Sequence, residues 1–247
     1  MNPPRPARKK EARDYLIFAL DVPNLDEARR YIRLLSGRVG LFKVGLELFV
    51  REGRRVIDEI LDAGEAGVFL DLKLHDIPAT VGRAMKNIVG LGVQLTTVHC
   101  AGQKEMLQAA ADGAAGRLAV LGVTVLTSIS PEDVRAAGFA DVYVRDISLL
   151  VAQRAAMAAE CGLNGVVCSP RETAVVKQRL GPNFLAVTPG VRMPGPSAGQ
   201  DDQRRVMTPV EAVRNGADYI VVGRPIRDAE DPPAAADQIC REIATVL

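Results

Sequence analysis

The fold is decided by the stretch GVFLDLKLHDIPATVGRAMKNIVGLG, residues 67–92. It begins with a short apolar run, turns at Ile77 and Pro78, and continues into a segment whose apolar residues recur at helical spacing. A short apolar run bounded by turn residues is typical of a parallel strand that is buried on both faces. The stretch therefore predicts one strand followed by one helix.

The same unit repeats along the chain. The runs predicted as strands cover residues 15–21, 41–47, 67–73, 94–100, 118–126, 165–169, 184–190 and 219–223. Amphipathic helical stretches separate them, and a last helix is predicted from 232 to 246. Eight alternating units predict an α/β fold, namely a single-domain (β/α)8 TIM barrel, since eight parallel strands are the number that closes.

Length and composition agree with one such domain. A barrel of this kind typically needs roughly 250 residues, and the chain has 247. The competing doubly wound sheet would have a glycine-rich turn after its first strand, where this chain has ALDVPNLDEA. We expect residues 14–247 to form the barrel and the basic, proline-rich residues 1–13 to form a disordered tail.

The charge and cysteine patterns limit the possible partners. A net charge of +1 gives no electrostatic reason to expect binding to nucleic acid or to a membrane surface. No run of 18 apolar residues suggests a membrane span. The widely spaced cysteines predict reduced thiols in a cytoplasmic protein, not a zinc or redox motif; they are Cys100, Cys161, Cys168 and Cys240.

The densest chemical signal is DLKLHDIPAT, residues 71–80. Asp71 and Lys73 share one face of a strand, Asp76 follows its end, and Lys43 should stand beside Asp71 from the preceding strand. A purely structural set of ion pairs is the simpler interpretation, but two lysines and two aspartates at adjacent strand ends favour an active site. Flanking carboxylates keep Lys73 charged, which suits a proton donor better than a Schiff-base nucleophile.

This block, together with KVG at 43–45, TPGVR at 188–192 and VVGRP at 221–225, resembles the bacterial orotidine 5′-phosphate decarboxylases. The resemblance runs from Tyr15 to the last helix. It implies a carbon–carbon lyase that converts orotidine 5′-phosphate to uridine 5′-phosphate, the last step of de novo pyrimidine nucleotide synthesis. It also implies a small nucleotide substrate, no metal or cofactor, and a homodimer with shared active sites.

The resemblance also assigns roles to individual residues. Lys73 would protonate C6 of the pyrimidine, Asp71 would lie near the substrate carboxylate, Lys43 would bridge Asp71 and the ribose, and Asp76 would enter from the other subunit. The expected substrate-binding residues are Asp21, Lys43, Asp71, Ile77, Thr80, Thr127, Arg192, Gln203, Gly223 and Arg224. Among these, Arg192, Gln203, Gly223 and Arg224 would hold the phosphate.

Some features depart from the family pattern or stay open. The segment around Gln203 is longer than the usual form, so Gln200 competes with Gln203 for the phosphate role. His75 and His99 are the two histidines, and we expect neither to be catalytic.

Other functions also stay open. One alternative is a Mg2+-dependent sugar-phosphate decarboxylase or aldolase of the same superfamily, with Glu47 as a possible ligand. Others are a non-catalytic barrel that binds a phosphorylated ligand and a structural or partner-binding barrel.

Overall fold

A computed structural model describes residues 10–192 and 207–247. Within them, eight parallel strands close into a barrel, in which each strand pairs with the next in the chain and the last pairs with the first. The strands are β1 (Leu16–Ala19), β2 (Leu41–Gly45), β3 (Gly67–Leu74), β4 (Leu95–His99), β5 (Ala119–Val123), β6 (Gly165–Val167), β7 (Leu185–Thr188) and β8 (Tyr219–Val222).

Helices follow the strands and form the outer layer. A 3-10 helix, Ala12–Tyr15, precedes β1. The α-helices of the described residues are α1 (Leu25–Leu35), α2 (Leu46–Glu52), α3 (Arg54–Ala63), α4 (Pro78–Val89), α5 (Lys104–Ala114), α6 (Pro131–Ala136), α7 (Asp141–Arg145), α8 (Ile147–Glu160), α9 (Thr173–Leu180), α10 (Pro209–Arg214), α11 (Arg224–Arg227) and α12 (Pro232–Ala244). None of these helices is long and apolar enough to cross a membrane.

The predicted (β/α)8 barrel is confirmed, and each predicted strand overlaps an observed one, with β3 extending one residue further than predicted, to Leu74. The observed strands are mostly shorter. The prediction for residues 41–47 was wrong at its end, because Leu46 and Glu47 already belong to α2. An apolar run alone does not separate strand from helix, and both residue types have good helix propensity.

Short polar side chains define several helix starts. The Asn24 side chain accepts a hydrogen bond from the Glu27 amide at 3.0 Å, and Asp231 accepts one from the Ala234 amide at the same distance. Each bond satisfies a backbone N–H that has no partner inside the helix. These caps fix where the chain leaves a barrel loop and enters the outer layer.

The core has two parts that follow from the period of two in a strand. One part lies between the sheet and the helices, and the other fills the barrel interior. The fully or nearly buried interior residues are Ile17, Ala19, Leu41, Phe69, Leu95, Leu121, Val187 and Val221. The interior is therefore a packed apolar plug, and polar chemistry is confined to the two ends of the barrel.

The chain entering β1 closes the end of the barrel opposite the strand carboxyl ends. The Lys10 ammonium lies 3.7 Å from the ring centre of Tyr15 and 4.1 Å from that of Tyr219, and it donates a hydrogen bond to the Asp218 carbonyl. The segment expected as a tail, residues 1–13, thus has a defined place from Lys10 onward. Residues 1–9 lie outside the described residues.

Gly165 on β6 lies very close to the backbone of the neighbouring strand β7. A Cβ atom added at Gly165 would overlap the backbone carbonyl oxygen of Leu185 on β7, which cannot move without breaking the barrel ladder. We expect Gly165→Ala to destabilise the protein by about 3 kcal/mol or more. Thermal unfolding followed by circular dichroism measures the effect, with Tm falling by roughly 6–12 °C.

Gly82→Ala on α4 is the matched control, because its Cβ would make an ordinary contact, at 3.4 Å, with the Ala109 carbonyl. Its stability should stay within about 1 kcal/mol of the wild type or rise slightly. Equal Tm values for the two variants would contradict the tight packing described for β6 and β7.

Candidate active site

The polar end of the barrel begins two residues beyond the apolar interior. Inward-facing positions alternate along each strand, so the next inward residues lie one layer closer to the carboxyl ends. On four neighbouring strands these residues are Lys43, Asp71, Thr97 and Val123. The first charged side chains of this layer, those of Lys43 and Asp71, therefore lie at the end of the barrel where barrel enzymes bind their substrates.

Two lysine–aspartate pairs dominate this layer. The Lys73 ammonium lies 2.7 Å from Asp71 Oδ2, and the Lys43 ammonium lies 2.9 Å from Asp21 Oδ1. The side chains of Lys43 and Asp71 are each 11% exposed, whereas that of Lys73 is 35% exposed. Lys73 is thus a partly open cation held against a nearly buried carboxylate.

The backbone around Lys73 is irregular. Lys73 has φ +52°, in the left-handed region that residues with a side chain seldom adopt. The pairing of β3 with β4 shifts register between Leu70 and Leu74. A bulge of this kind turns a side chain away from the direction that regular alternation would give it.

A cavity of about 550 Å3 opens above these pairs. Asp21, Lys43, Asp71 and Lys73 line one part of it, and Thr127 and Ser128 line another. This volume lies within the range of small-molecule sites, roughly 300–1,000 Å3. It combines apolar walls with a few convergent polar groups, as sites for such ligands do.

The remaining side of the cavity is cationic. It carries Arg192 after β7, and Gly223, Arg224 and Arg227 after β8. The Arg227 guanidinium donates to the Asp21 carbonyl at 3.0 Å, and its hydrogen bond with Asp228 is the main reason that its pKa is raised. Three guanidinium groups beside exposed backbone suit a phosphate or another compact anion.

The predicted site residues fall into three groups. Eight of them line the cavity: Asp21, Lys43, Asp71, Lys73, Thr127, Arg192, Gly223 and Arg224. Asp76, Ile77 and Thr80 do not line it, and Ile77 is 65% exposed. Gln203 and its competitor Gln200 lie outside the described residues.

Sequence reasoning missed two residues and one pairing. Arg227 lies one helical turn after Arg224, a spacing that could have indicated it. Thr97 lies two residues beyond the interior Leu95, so strand alternation could have indicated it. Lys43 was expected to bridge Asp71 and the ribose, whereas within the described residues its ammonium donates to Asp21.

The two histidines lie together at the edge of the site. Their ring centres are 5.7 Å apart, His75 following β3 and His99 ending β4. Burial is the main cause that lowers the pKa of His99, and the neighbouring His75 and Lys73 lower it further. His99 therefore favours its neutral form near the cationic Lys73.

Across residues 10–192 and 207–247, no group of three or more His, Cys, Asp or Glu side chains is arranged to hold a metal ion. Glu47, the ligand considered for a magnesium-dependent alternative, is exposed on α2 and does not line the cavity.

Comparisons with known proteins agree on one family. The model of the family described as "Orotidine 5'-phosphate decarboxylase / HUMPS family" matches residues 14–239. The chain is 57% identical to the orotidine 5′-phosphate decarboxylase of Desulfosudis oleivorans, covering 97% of both chains. It is 47% identical to that of Pelobacter propionicus, covering 95% of this chain and 97% of that relative.

Solved structures show the same likeness. The crystal structure of orotidine 5′-phosphate decarboxylase from Lactobacillus acidophilus superposes with a TM-score of 0.79 at 36% identity, covering 92% of this chain and 98% of that one. An uncharacterized conserved protein from Geobacillus kaustophilus gives 0.78 at 37% identity, covering 92% of this chain and 99% of that one.

The electrostatics of the mouth can be tested through His99. Folding lowers the pKa of His99, so the unfolded chain binds a proton at this residue more readily than the folded chain does. His99 therefore destabilises the folded state once the pH falls below the pKa of the unfolded histidine, about 6.5. We expect NMR titration to place the His99 pKa below about 6.5. The value should rise in His75→Ala, which removes a charge that opposes protonation.

His75→Gln keeps a polar side chain without a titrating charge and should raise the His99 pKa in the same direction. A His99 pKa at or above the ordinary histidine value in the wild type would contradict the described environment.

Proposed function

This chain belongs to the orotidine 5′-phosphate decarboxylase / HUMPS family, and we propose that its cavity decarboxylates orotidine 5′-phosphate to uridine 5′-phosphate through Lys73. The enzyme is accordingly a carbon–carbon lyase of pyrimidine nucleotide synthesis, the activity that its 57% and 47% identical relatives carry in their names. The observation that carries the mechanism is the Lys73–Asp71 pair at the cavity mouth.

The chemistry follows from that pair. The bond between C6 and the carboxylate carbon breaks, CO2 leaves, and the electron pair that stays on C6 takes a proton from the Lys73 ammonium. Lysine is left neutral and regains a proton from solvent. Asp71 lies 2.7 Å from the ammonium, so it orients Lys73 before the bond breaks.

The rest of the cavity would hold the nucleotide in place. Asp21 and Lys43, already paired at 2.9 Å, offer an acceptor and a donor to the ribose hydroxyls. Thr127 borders the space for the pyrimidine edge. Arg192, Gly223 and Arg224 would hold the phosphate, with Gln203 added from outside the described residues.

Binding of the phosphate, away from the reacting carbon, would speed the reaction in addition to increasing the affinity for the nucleotide. The arginines line a different side of the cavity from Lys73, so their binding energy is available to place C6 against the ammonium. The mechanism asks nothing of a metal ion or an organic cofactor.

Two alternative functions have less support. A magnesium-dependent sugar-phosphate enzyme needs a set of acidic ligands, and Glu47 lies outside the cavity where two lysine ammonium groups already stand. A non-catalytic phosphate sensor would use the arginines but has no need of a lysine–carboxylate pair at the opposite wall.

The proposed enzyme is a homodimer with shared active sites. Asp76 and Ile77 are exposed beyond β3 and do not line the cavity of their own chain, although the resemblance gives Asp76 a catalytic role and Ile77 a substrate-binding role. Leu46 and Val50 on α2, which follows the adjacent strand, are 60% and 77% exposed. A second copy would bury such apolar residues and would receive Asp76, Ile77 and Thr80 at its own site.

We also place the enzyme in the cytoplasm. All four cysteines lie among the described residues as thiols, and burial raises the pKa of Cys100 to about 12 and that of Cys240 to about 11. Thiols with such high pKa values are unreactive, as expected of a protein from a reducing compartment.

The mechanism predicts the effect of removing Lys73. We expect Lys73→Ala to lower kcat by about 10³-fold or more, because the leaving electron pair loses its proton donor. Activity of the wild type should persist in excess EDTA. The loss of orotidine 5′-phosphate absorbance measures both.

Lys104→Ala is the matched control. Lys104 also lies 2.7 Å from a carboxylate, Glu160, but this pair is exposed on the outer helices. Its kcat should stay near that of the wild type. A wild-type protein that does not act on orotidine 5′-phosphate, or a Lys73→Ala variant with full kcat, would contradict the proposal.

Shared sites predict complementation between two inactive variants. Lys73→Ala and Asp76→Ala should each be nearly inactive alone. Mixed and allowed to exchange subunits, they should recover about a quarter of wild-type activity, because half of randomly paired dimers are mixed and each mixed dimer has one intact site. Turnover assays before and after subunit exchange test this.

The pair Lys73→Ala and Asp71→Ala is the control, since both residues belong to the same subunit's cavity and no mixture restores an intact site. Recovery in that control would contradict the placement of Lys73 and Asp71 in one subunit's site. No recovery in the first mixture, despite confirmed exchange, would show that Asp76 does not act across subunits.

A further inference from the structure

The Thr97 hydroxyl forms hydrogen bonds with both residues of the Lys73–Asp71 pair. It accepts a hydrogen bond from the Lys73 backbone amide at 2.8 Å and donates one to Asp71 Oδ1 at 2.9 Å. Thr97 is fully buried on β4 and does not line the cavity. It therefore contacts the residues of the site without contacting what binds there.

The Lys73 backbone has a particular need for this contact. At φ +52° in an irregular part of β3, its amide has left the regular ladder that would satisfy it. A buried N–H without an acceptor and a left-handed lysine both cost free energy, so this conformation persists only where neighbouring groups hold it. The Thr97 oxygen supplies the acceptor.

The Asp71 carboxylate has a similar need. It is nearly buried, and among the described residues two side chains hydrogen-bond to it, the Lys73 ammonium at Oδ2 and the Thr97 hydroxyl at Oδ1. The ammonium must move toward C6 when it delivers its proton. Thr97 then remains as the partner that keeps the carboxylate in place.

We propose that Thr97 is a positioning residue for the decarboxylation: its single hydroxyl fixes the Asp71 carboxylate and the left-handed Lys73 backbone in one arrangement, so that the ammonium is aimed at the reacting carbon. The inference rests on the proposed function above. It assigns to Thr97 an effect on the chemical step, beyond the stability that any buried hydrogen bond supplies.

The neighbouring Thr96 provides a matched control. It is also fully buried on β4, and its hydroxyl donates to the Leu70 carbonyl at 2.9 Å. Strand alternation places it on the helix-facing side of the sheet, away from the cavity. Replacing either threonine by valine removes one buried hydroxyl from the same strand and keeps the β-branched shape.

The first measurement compares Thr97→Val with Thr96→Val in kcat for orotidine 5′-phosphate and in affinity for uridine 5′-phosphate. We expect Thr97→Val to lower kcat by about 10- to 100-fold, since small misplacements of a reacting group cost that much. Product affinity should change by less than about 3-fold, because the arginine side of the cavity is untouched. Thr96→Val should keep kcat within about 3-fold of the wild type.

Two further variants keep the test decisive if Thr97→Val does not fold. Thr97→Ser retains the hydroxyl and should retain kcat to within about 3-fold, whereas the smaller Thr97→Ala should show the loss. Equal kcat for the serine and alanine variants would overturn the positioning role.

A substrate-free measurement separates this inference from the proposed function. Amide hydrogen exchange at Lys73 should become at least about 10-fold faster in Thr97→Val than in the wild type or in Thr96→Val, because its acceptor is gone. Unchanged exchange, or unchanged kcat in an active Thr97→Val, would overturn the inference. A wild-type protein that lacks decarboxylase activity would overturn the proposed function, while the exchange result would still decide what Thr97 holds.

Discussion

The closed parallel barrel imposes one constraint on which the site depends: half of the side chains of every strand must point into a narrow interior. In the middle of the barrel these side chains are apolar, from Ile17 and Leu41 to Phe69 and Leu95. Charged groups at that depth would lose their hydration without compensation. Lysines and aspartates can therefore face inward only at the last layer, where the strands end and the cavity begins, and this layer contains Lys43 and Asp71.

Much of this arrangement could be predicted from the sequence, because it depends on local periodicity. Eight apolar runs separated by helical stretches sufficed to predict the barrel, and Asp71 with Lys73 on one strand face sufficed to predict a charged mouth. Strand ends were less predictable. LFKVGLE was predicted as one strand, yet the chain leaves β2 after Gly45, because an apolar run does not by itself separate strand from helix and Leu46 and Glu47 both have good helix propensity.

Which carboxylate pairs with Lys43 could not be predicted from the sequence, for a different reason. Lys43 lies beside Asp21 because β1 is the other neighbour of β2 in the closed sheet, and which neighbouring carboxylate a flexible lysine meets depends on rotamers and loop paths. The left-handed Lys73 and its contact with Thr97 depend on a register shift between two strands that are far apart in the chain. Nothing in the residues 71–74 alone marks that bulge.

Two lysines at opposite ends of the barrel, Lys73 and Lys177, show how a lysine available for chemistry differs from a structural one. Lys177 pairs with Asp218 at 2.6 Å and also donates to the carbonyls of Pro182 and Phe184, so all three of its N–H groups have acceptors. Lys73 pairs with Asp71 at a similar distance, but within residues 10–192 and 207–247 this is its one recorded ammonium hydrogen bond.

The unused donors give Lys73 its capacity to act. An ammonium that is fully satisfied by fixed acceptors can lose its proton only by breaking the structure that holds it. An ammonium held by one carboxylate and open to a cavity keeps its direction, while its other N–H groups remain available to a ligand. The same residue types thus serve stability at one end of the barrel and chemistry at the other, and the difference lies in how many of their hydrogen bonds the fold completes.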